Sequence, residues 1–517
     1  MTLVQSGTLN TTALVDADLY VQIVPPANLA VNGVPSNLLA IAGTATWGPV
    51  NKPQPIGSMG NQFAYFGPPQ NRKHDLGTAV AVATQQGANN ILAVRVTDSN
   101  DVAATSTGVS TCITFAALYT GSLGNSITVQ LATGSKASSW KVVIGAPGYQ
   151  AEVFDNITGT GNALWVAIAN AINNGNNVTR GASQWVTAAA GSGTAAATAA
   201  TFTFSGGVDG AVVGSSNVKT ATLVGVDTPT RTGMYALRGT IAAGTLLLAD
   251  ADDTTQWGVI DSFAQSEACY AYLAGPSGDT IANAVTTKQA AVDDAWAKVL
   301  FGDWCWWNDP YNGVQRVVHP AAFAAGKRAA LSPHLSTLNK PLVGIIGTQR
   351  SGLGKTGGYS GAERITLTSA GIDFITNPAA GGLNVWAVRE GINSASNASV
   401  QDETYTSMTN YIAATLNASQ GVWIGQPLEA GLFRRIKASL DGFFSNMLGQ
   451  KMLALNADGS RPWSVICDVT SNNPQNRTAL GYGQADVSVT YMGTLRKFII
   501  NLQGGATVST VTVSRAQ

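Results

Sequence analysis

The chain has 517 residues, 45% hydrophobic and only 11% charged, with 29 basic and 29 acidic side chains in formal balance. An average soluble domain carries about 25% charged residues, so Asn, Gln, Ser, Thr, Ala and Gly must cover this surface, and such groups are buried against another subunit at less desolvation cost than ions. A sequence pI near 6.8 without a long Lys/Arg run argues against nucleic acid as principal partner, no apolar run approaches the roughly 20 residues of a membrane span, and Cys112, Cys269, Cys305 and Cys467 lack the paired spacing of a disulfide framework or zinc site.

Residues 1–35 read as an extended arm, in which Leu19, Tyr20, Val21, Gln22, Ile23 and Val24 run into Pro25-Pro26. The start, MTLVQSGTLN, lacks the basic and apolar regions of a signal peptide, so synthesis in the cytoplasm is expected. Residues 36–100 give strand, loop, helix, strand: LLAIAGTATWGPV from Leu38, the polar turn NKPQPIGS and aromatic run FAYFG, a helix from His74 to Gln86, and a strand from Ile91 to Val96. Residues 101–211 read as a β-sandwich, with SITVQL, WKVVIG and TFTF as strands and Leu164 to Ile172 as a short helix. The Ala/Gly/Thr tract from Ala188 to Ala200 predicts a mobile loop.

Residues 212–395 alternate again. Strands LLLAD, ACYAYLAGP, KVLFGDWCWW and PLVGIIG are separated by helices at Thr254 to Gln265, Ile281 to Lys298 and Ala321 to Leu331, which predicts a parallel sheet covered on both faces. Residues 396–505 form an α+β region with two helices. Tyr405, Met408, Ile412, Thr415 and Leu416 share one side of the first; Leu432, Ile436, Leu440, Phe443 and Met447 form a stripe on the second. WSVICDV, ADVSVTYMG and LRKFIINLQ then predict a small, mostly antiparallel sheet. The tail, 506–517, is a second arm whose alternation at Val508, Val511 and Val513 suits pairing with an exposed edge.

Chemistry-bearing motifs are sparse. GLGKTGG at Gly352 to Gly358 ends like a phosphate loop, but Gln349 stands where its first glycine belongs, which favours a flexible surface loop. Asp250, Asp252 and Asp253 read as a solvated strand end, with Asp253 or Thr254 capping a helix. His74, His319 and His334 are too separated to show a metal pair, and no G-x-S-x-G elbow or triad pattern occurs. Trp304, Trp306 and Trp307 read as core or subunit-contact aromatics. Arg434, Arg435 and Lys437 are the densest basic group, read as a solvated helix face or an electrostatic contact with an acidic partner. No catalytic, metal-binding or cofactor-binding residue is predicted.

Four segments in this order resemble the tail sheath proteins of contractile-tailed bacteriophages. They are GTATWGPVNKPQPIGSMGNQFAYFG within Ile41 to Val96; GSLGN, EVFDNI and SGGVDG around the sandwich; VVHPAAFAAGKRAALSPHLSTLNKPLVGI; and AGIDFITNPAAGGLNVWAVREG with the later SNNPQN turn. Three departures accompany them: the arm lacks the family's Pro-Gly-Val-Tyr start, Ala387 replaces a usual glycine, and paired arginines are missing near Gln401 to Thr404. The resemblance implies a multi-domain α/β plus β chain, with an α/β layered (subtilisin-like, non-catalytic) sheath domain, an inserted β-sandwich and an α+β C-terminal domain. It implies a virion protein, assembled in the host cytoplasm as stacked hexameric rings around a tail tube. Its partners would be the tube, the baseplate and the tail terminator or collar, without nucleic acid or membrane insertion. Contraction would drive the tube through the host envelope for genome ejection. The resemblance makes Leu19, Tyr20, Val21, Ile23, Val508, Val511 and Val513 candidate arm residues that exchange strands between subunits, and Arg434, Arg435 and Lys437 candidate tube contacts. The alternatives are a non-contractile virion or surface-layer protein and, third, an enzyme of subtilisin-like fold.

Overall fold

The computed structural model describes residues 3–6, 20–23, 31–176, 180–212, 218–355, 357–377, 385–472 and 478–500. The chain divides into a large unit, Ser36–Ser407 with Gly493–Gln517, and a small unit, Met1–Pro35 with Met408–Met492. In chain order the helices are α1 (Met59–Phe66), α2 (Leu76–Gln85), α3 (Asn162–Asn174), α4 (Thr220–Val224), α5 (Trp257–Glu267), α6 (Ile281–Ala291), α7 (Pro320–Ala329), α8 (Gly361–Ser369), α9 (Glu403–Gln420) and α10 (Ala430–Gly449).

The large unit is built on a seven-stranded sheet in the order Ile372–Asp373, Ala297–Leu300, Tyr270–Ala274, Thr245–Leu248, Leu38–Gly43, Asn90–Arg95, Gln54–Ile56. Every pairing is parallel except that of Gln54–Ile56. Parallel strands buried on both faces need apolar side chains in both directions, and the alternation sorts them into two layers. Leu39, Ile41, Leu247, Tyr272 and Leu300 face one cluster with α2 and α7. Ala40, Ala42, Leu246, Leu273 and Val299 face the other, with Ile260 and Phe263 of α5, Ala284 of α6 and Leu367 of α8. α2 begins on an Asp75 cap and is buried from Leu76 to Ala83, which its alanines allow. Gly326 of α7 lies so close to it that a Cβ there would sit 2.6 Å from the Ala83 Cα.

The sandwich is spliced between Asn90–Arg95 and Thr245–Leu248. Its antiparallel sheets run Glu152–Ile157, Trp140–Gly145, Thr128–Thr133, Ala200–Thr203 and Val186–Ala190, Ile113–Thr120, Ala103–Val109. Its two connections run side by side: Val102 and Val208 exchange both amide hydrogen bonds at 3.0 Å, and the Asp98 amide donates to the Gly210 carbonyl at 2.8 Å. Buried Arg95 donates to the carbonyls of Gly48, Thr120 and Asp209 at 2.8, 2.7 and 3.1 Å, fixing that junction to the sheet.

Several sequence expectations are corrected. FAYFG belongs to α1, which Ser58 caps by accepting from the Asn61 amide. The Ala188 to Ala200 tract is tied down: its start pairs with Ile113–Thr120, the Gly191 and Gly193 amides donate to the carbonyls of Cys112 and Thr111, and Trp165 Nε1 donates to the Ala195 carbonyl. KVLFGDWCWW is two strands in different sheets. Ala297–Leu300 lies in the parallel sheet; Cys305–Asp309 lies between Val314–Val318 and Ile345–Thr348 in an antiparallel sheet that Gly352–Leu353 completes. The chain turns away at Gly302, where a Cβ would meet the Pro276 carbonyl at 2.1 Å. The α6 helix ends at Ala291, short of Lys298. PLVGIIG also splits, since Pro341–Leu342 joins Trp386–Val388 and Ile375–Thr376 in a third sheet.

In the small unit, the buried side of α10 consists of Leu432, Phe433, Leu440, Phe443, Phe444 and Met447. Tyr411 of α9 packs near Phe443 with ring centroids 6.3 Å apart. Trp463–Ile466 pairs antiparallel with Asp486–Val489, and Leu3–Ser6 pairs parallel with Tyr20–Ile23. LRKFIINLQ carries no strand in its described residues: Leu495, Phe498, Ile499 and Ile500 stand 72%, 76%, 73% and 72% exposed, a hydrophobic segment of the large unit that no described strand pairs with.

Candidate functional site

In the parallel sheet the strand order reverses between Leu38–Gly43 and Thr245–Leu248, and the crevice beyond the carboxyl ends of such strands is where open α/β folds place ligands. Asp250 follows one strand there, while Lys73, His74 and Asp75 precede α2 and His319 precedes α7. The His74 amide donates to Asp250 Oδ2 at 3.1 Å, whereas its Nδ1 lies 2.8 Å from the Ala249 carbonyl. Asp250 thus holds the backbone of His74 and not its imidazole, so the carboxylate–imidazole orientation of a hydrolytic triad is not made. His319 is 1% exposed and meets Trp304 edge-on at 5.1 Å. Burial lowers the His319 pKa to about 4 and also depresses that of His74, which leaves both rings neutral near pH 7. Burial pushes Asp250 up to about 6 against the opposing charge of Arg316. Asp250 is therefore a buried group and not the solvated strand end expected; Lys73 pairs with Asp252 at 2.8 Å, and Asp253 caps the next turn by accepting from the Thr255 amide at 3.0 Å.

A second polar cluster escaped the sequence reading. Lys298 Nζ donates to Asp373 Oδ2 at 2.7 Å, to Glu403 Oε2 at 2.8 Å and to the Ile392 carbonyl at 3.1 Å, with all three side chains of the ionic group fully buried. Asp373 also accepts from the amides of Phe374, Glu390, Gly391 and Ile392. Glu403 Oε1 accepts from Ser336 Oγ at 2.6 Å, Thr337 Oγ1 at 2.7 Å and the Thr337 amide. Burial alone would raise the Glu403 pKa, but Lys298, Arg328 and these donors hold it at about 2. Burial works against the Lys298 cation, yet the two carboxylates raise its pKa. A charged amine between saturated carboxylates is neither nucleophile nor base; its chemistry is that of a clasp. The available signal was a lysine and an aspartate inside otherwise apolar strands.

Among the predicted contacts, Arg434 and Arg435 are exposed on α10, with Arg435 3.8 Å from Glu429. Lys437 is half-buried, donates to the Val465 carbonyl and pairs with Asp441 at 3.6 Å. Beside this helix a groove of about 570 Å³ is lined by Trp423, Ile424, Leu428, Phe433, Leu440 and Val487. Tyr20, Val21 and Ile23 lie in the Tyr20–Ile23 strand, while Leu19, Val508, Val511 and Val513 fall outside the described residues. The Gly352 segment is the Gly352–Leu353 edge strand of a hairpin, not the strand-to-helix turn a phosphate loop requires. Trp304 and Trp307 are buried, the latter donating to Gln85 Oε1 at 2.9 Å. Among the described residues no helix is long and apolar enough to cross a membrane, and no cluster of His, Cys, Asp and Glu has the makings of a metal site.

No family model matches the chain, and no curated protein matches it. Solved structures do. A sheath tail protein from Desulfitobacterium hafniense is similar over 87% of this chain and 93% of its own, with a TM-score of 0.57 at 15% identity. One from Listeria innocua covers 84% and 89%, with a TM-score of 0.59 at 14% identity. The helical sheath of the anti-feeding prophage in its contracted state covers 95% and 99%, with a TM-score of 0.56 at 11% identity. This mixed α/β chain, with its several sheets, carries the fold of contractile sheath tail proteins.

Proposed function

We propose that the chain is a structural, non-enzymatic subunit of a contractile sheath: it polymerises with its own copies as stacked hexameric rings around a tail tube and shortens to drive that tube through a host cell envelope. The observation that carries this reading is the extent of the likeness, which spans 84–95% of the chain across three sheath proteins and takes in nearly the full length of each. The α/β sheet with its inserted sandwich is the sheath domain, of subtilisin-like layering without a triad.

Two features of the single chain favour assembly. Among the described residues the Trp463–Ile466 and Asp486–Val489 sheet has two strands, each with an edge that no other described strand covers, and two-stranded sheets are marginal in water. The segment through Leu495 and Phe498 to Ile500 leaves four large apolar side chains in solvent. Strand addition between subunits answers both needs: residues around Tyr20, Val21 and Ile23 and the tail with Val508, Val511 and Val513 act as donors, and Arg434 and Arg435 face the tube. The baseplate and a tail terminator cap the ends of the assembly, and the subunit is made in the host cytoplasm before it enters the virion.

Electron microscopy of the purified chain tests the reading. Hollow, striated tubes are expected from the full chain, and folded, unassembled subunits from a chain ending at residue 505. Flat sheets or closed shells would instead mark a surface-layer or non-contractile virion protein.

A further inference from the structure

Within the small unit, the Trp463–Ile466 and Asp486–Val489 strands pair antiparallel with Trp463 opposite Val489, Ser464 opposite Ser488 and Val465 opposite Val487. Trp463 and Val465 are buried, while Ser464 and Ile466 are exposed. One turn beyond the ladder the Thr490 amide donates to the Pro462 carbonyl at 2.7 Å, which makes Pro462 and Thr490 a hydrogen-bonded pair. Bonded and non-bonded pairs alternate along an antiparallel ladder, so Ser464–Ser488 is bonded and Trp463–Val489 and Val465–Val487 are not. The amides and carbonyls of the non-bonded residues therefore point away from the partner strand and form the two edges of the sheet.

The edges are not alike. At the Trp463–Ile466 edge the Val465 carbonyl accepts from Lys437 Nζ of α10. Asp441 lies 3.6 Å from the same ammonium and accepts from Trp463 Nε1 at 3.1 Å, and Arg461 stands over the Trp463 ring at 5.6 Å. A strand laid on this edge needs the Val465 carbonyl for an amide of its own and must displace the ammonium that holds it; a lysine at an edge opposes such pairing. At the other edge no hydrogen bond among the described residues reaches the outward groups of Val487 or Val489. The groove of about 570 Å³ adjoins this second edge: Gln484, Ala485 and Val487 line it together with Ile424, Leu428 and Phe433, and no charged side chain does. Side chains of a strand added beside Asp486–Val489 find an apolar bed there.

We propose that Lys437 closes one edge of this sheet, so that the Asp486–Val489 edge and its groove form the single acceptor for an extended segment of a second copy of this chain, the tail within 504–514. The inference rests on the sheath assembly proposed above and names the surface and the selecting residue. Charge and sequence choose the tail as occupant. The described chain ends at Ile500, every residue from Phe498 to Ser514 is uncharged like the groove, and every residue from Thr507 to Val513 except Ser509 is β-branched, as suits a strand. Tyr20–Ile23, by contrast, already has Leu3–Ser6 on one edge.

Cysteine cross-linking of the full chain tests it. Ser464 and Ser488 are exposed and directly opposite each other, and the four native cysteines are buried. Neighbouring strands lie about 4.8 Å apart and a disulfide does not bridge Cα atoms more than about 7 Å apart, so a tail seated beside Asp486–Val489 reaches position 488 and not 464. Chains with Ser488→Cys or Ser464→Cys are mixed with chains carrying Thr510→Cys, Val511→Cys or Thr512→Cys, oxidised mildly and run on non-reducing gels. A mixed dimer is expected with Ser488→Cys alone, and adding Lys437→Met is expected to bring one with Ser464→Cys. A dimer with Ser464→Cys while Lys437 is in place, no dimer with either serine variant, or a Lys437→Met chain still unlinked at 464 overturns the proposal. A link that forms only within one chain bearing both cysteines makes the occupant its own tail and overturns the second copy. Should Lys437→Met fail to fold, the comparison of 464 with 488 decides alone. Tubes scored by electron microscopy report on the sheath reading separately; without tubes, a synthetic peptide of residues 504–515 carrying Val511→Cys replaces the second chain, and the same pattern of links decides.

Discussion

Lys298 is a cation where the pattern of an apolar strand calls for a hydrophobic side chain, and its neighbours explain why it survives there. Removing one partner of a buried ion pair leaves an uncompensated charge, so Lys298→Met should destabilise the large unit by roughly 3–5 kcal/mol, read by chemical denaturation. Acid titration checks the same site. The Glu403 pKa falls from 4.5 to about 2 on folding, so the stability it contributes is complete above about 4.5 and is lost as pH falls toward 2. Asp250 carries the opposite sign. Its pKa rises from 3.8 to about 6, so stability is lost as pH climbs through that window, and Asp250→Asn should gain roughly 1–3 kcal/mol at neutral pH while the amide oxygen still accepts from His74. Lys298 stood out in sequence as a cation in an apolar strand, but its partner was not legible: Lys298 and Glu403 stand 105 residues apart, and nothing local marks Glu403 as more than an ordinary acidic residue in a helical first turn.

Elements were legible where one period governs a whole segment. Thr245–Leu248 and Tyr270–Ala274 are buried at every position, and the apolar stripe of α10 repeats as helical spacing demands. Reading failed where tertiary contact ends an element without a local mark, as at Gly302, and where a strand needs a partner from elsewhere, as at Phe498. The basic group on α10 divides by the same logic. Arg434 and Arg435 project into solvent, whereas the ammonium of Lys437 is bound to the Val465 carbonyl. Replacing both arginines by glutamate should therefore leave the subunit's thermal midpoint unchanged and weaken assembly on the tube; Lys437→Ala should cost the small unit roughly 1–3 kcal/mol. Equal stability losses from both changes would assign all three cations to packing.

For the whole molecule the scarcity of charge is sharper than composition suggests, because several of the few charges face inward. Arg95, Lys298, Arg328, Asp373 and Glu403 are all buried. The exterior left for contact between subunits is correspondingly neutral, and neutral contacts are little affected by screening. The critical concentration for assembly should change by less than about threefold between low and high salt, as measured by sedimentation; a steep salt dependence would indicate ionic interfaces.

The sandwich enters and leaves the three-layer core through one pair of adjacent backbone segments, closed by the Val102–Val208 exchange, and it also touches the core where Arg95 donates to the Thr120 carbonyl, the Leu123 amide to the Thr46 carbonyl and the Tyr149 hydroxyl to the Phe63 carbonyl. Such a junction behaves as a cassette slot. Whatever folds between residues 102 and 208 is expected to tolerate change without shifting the register of the seven-stranded sheet, provided that Trp47, which stacks on Trp185 of the insert at 5.2 Å, receives a new cover and buried Arg95 a replacement for the Thr120 carbonyl. A foreign domain grafted at the same two residues and supplying those contacts should therefore leave the core's fold unchanged.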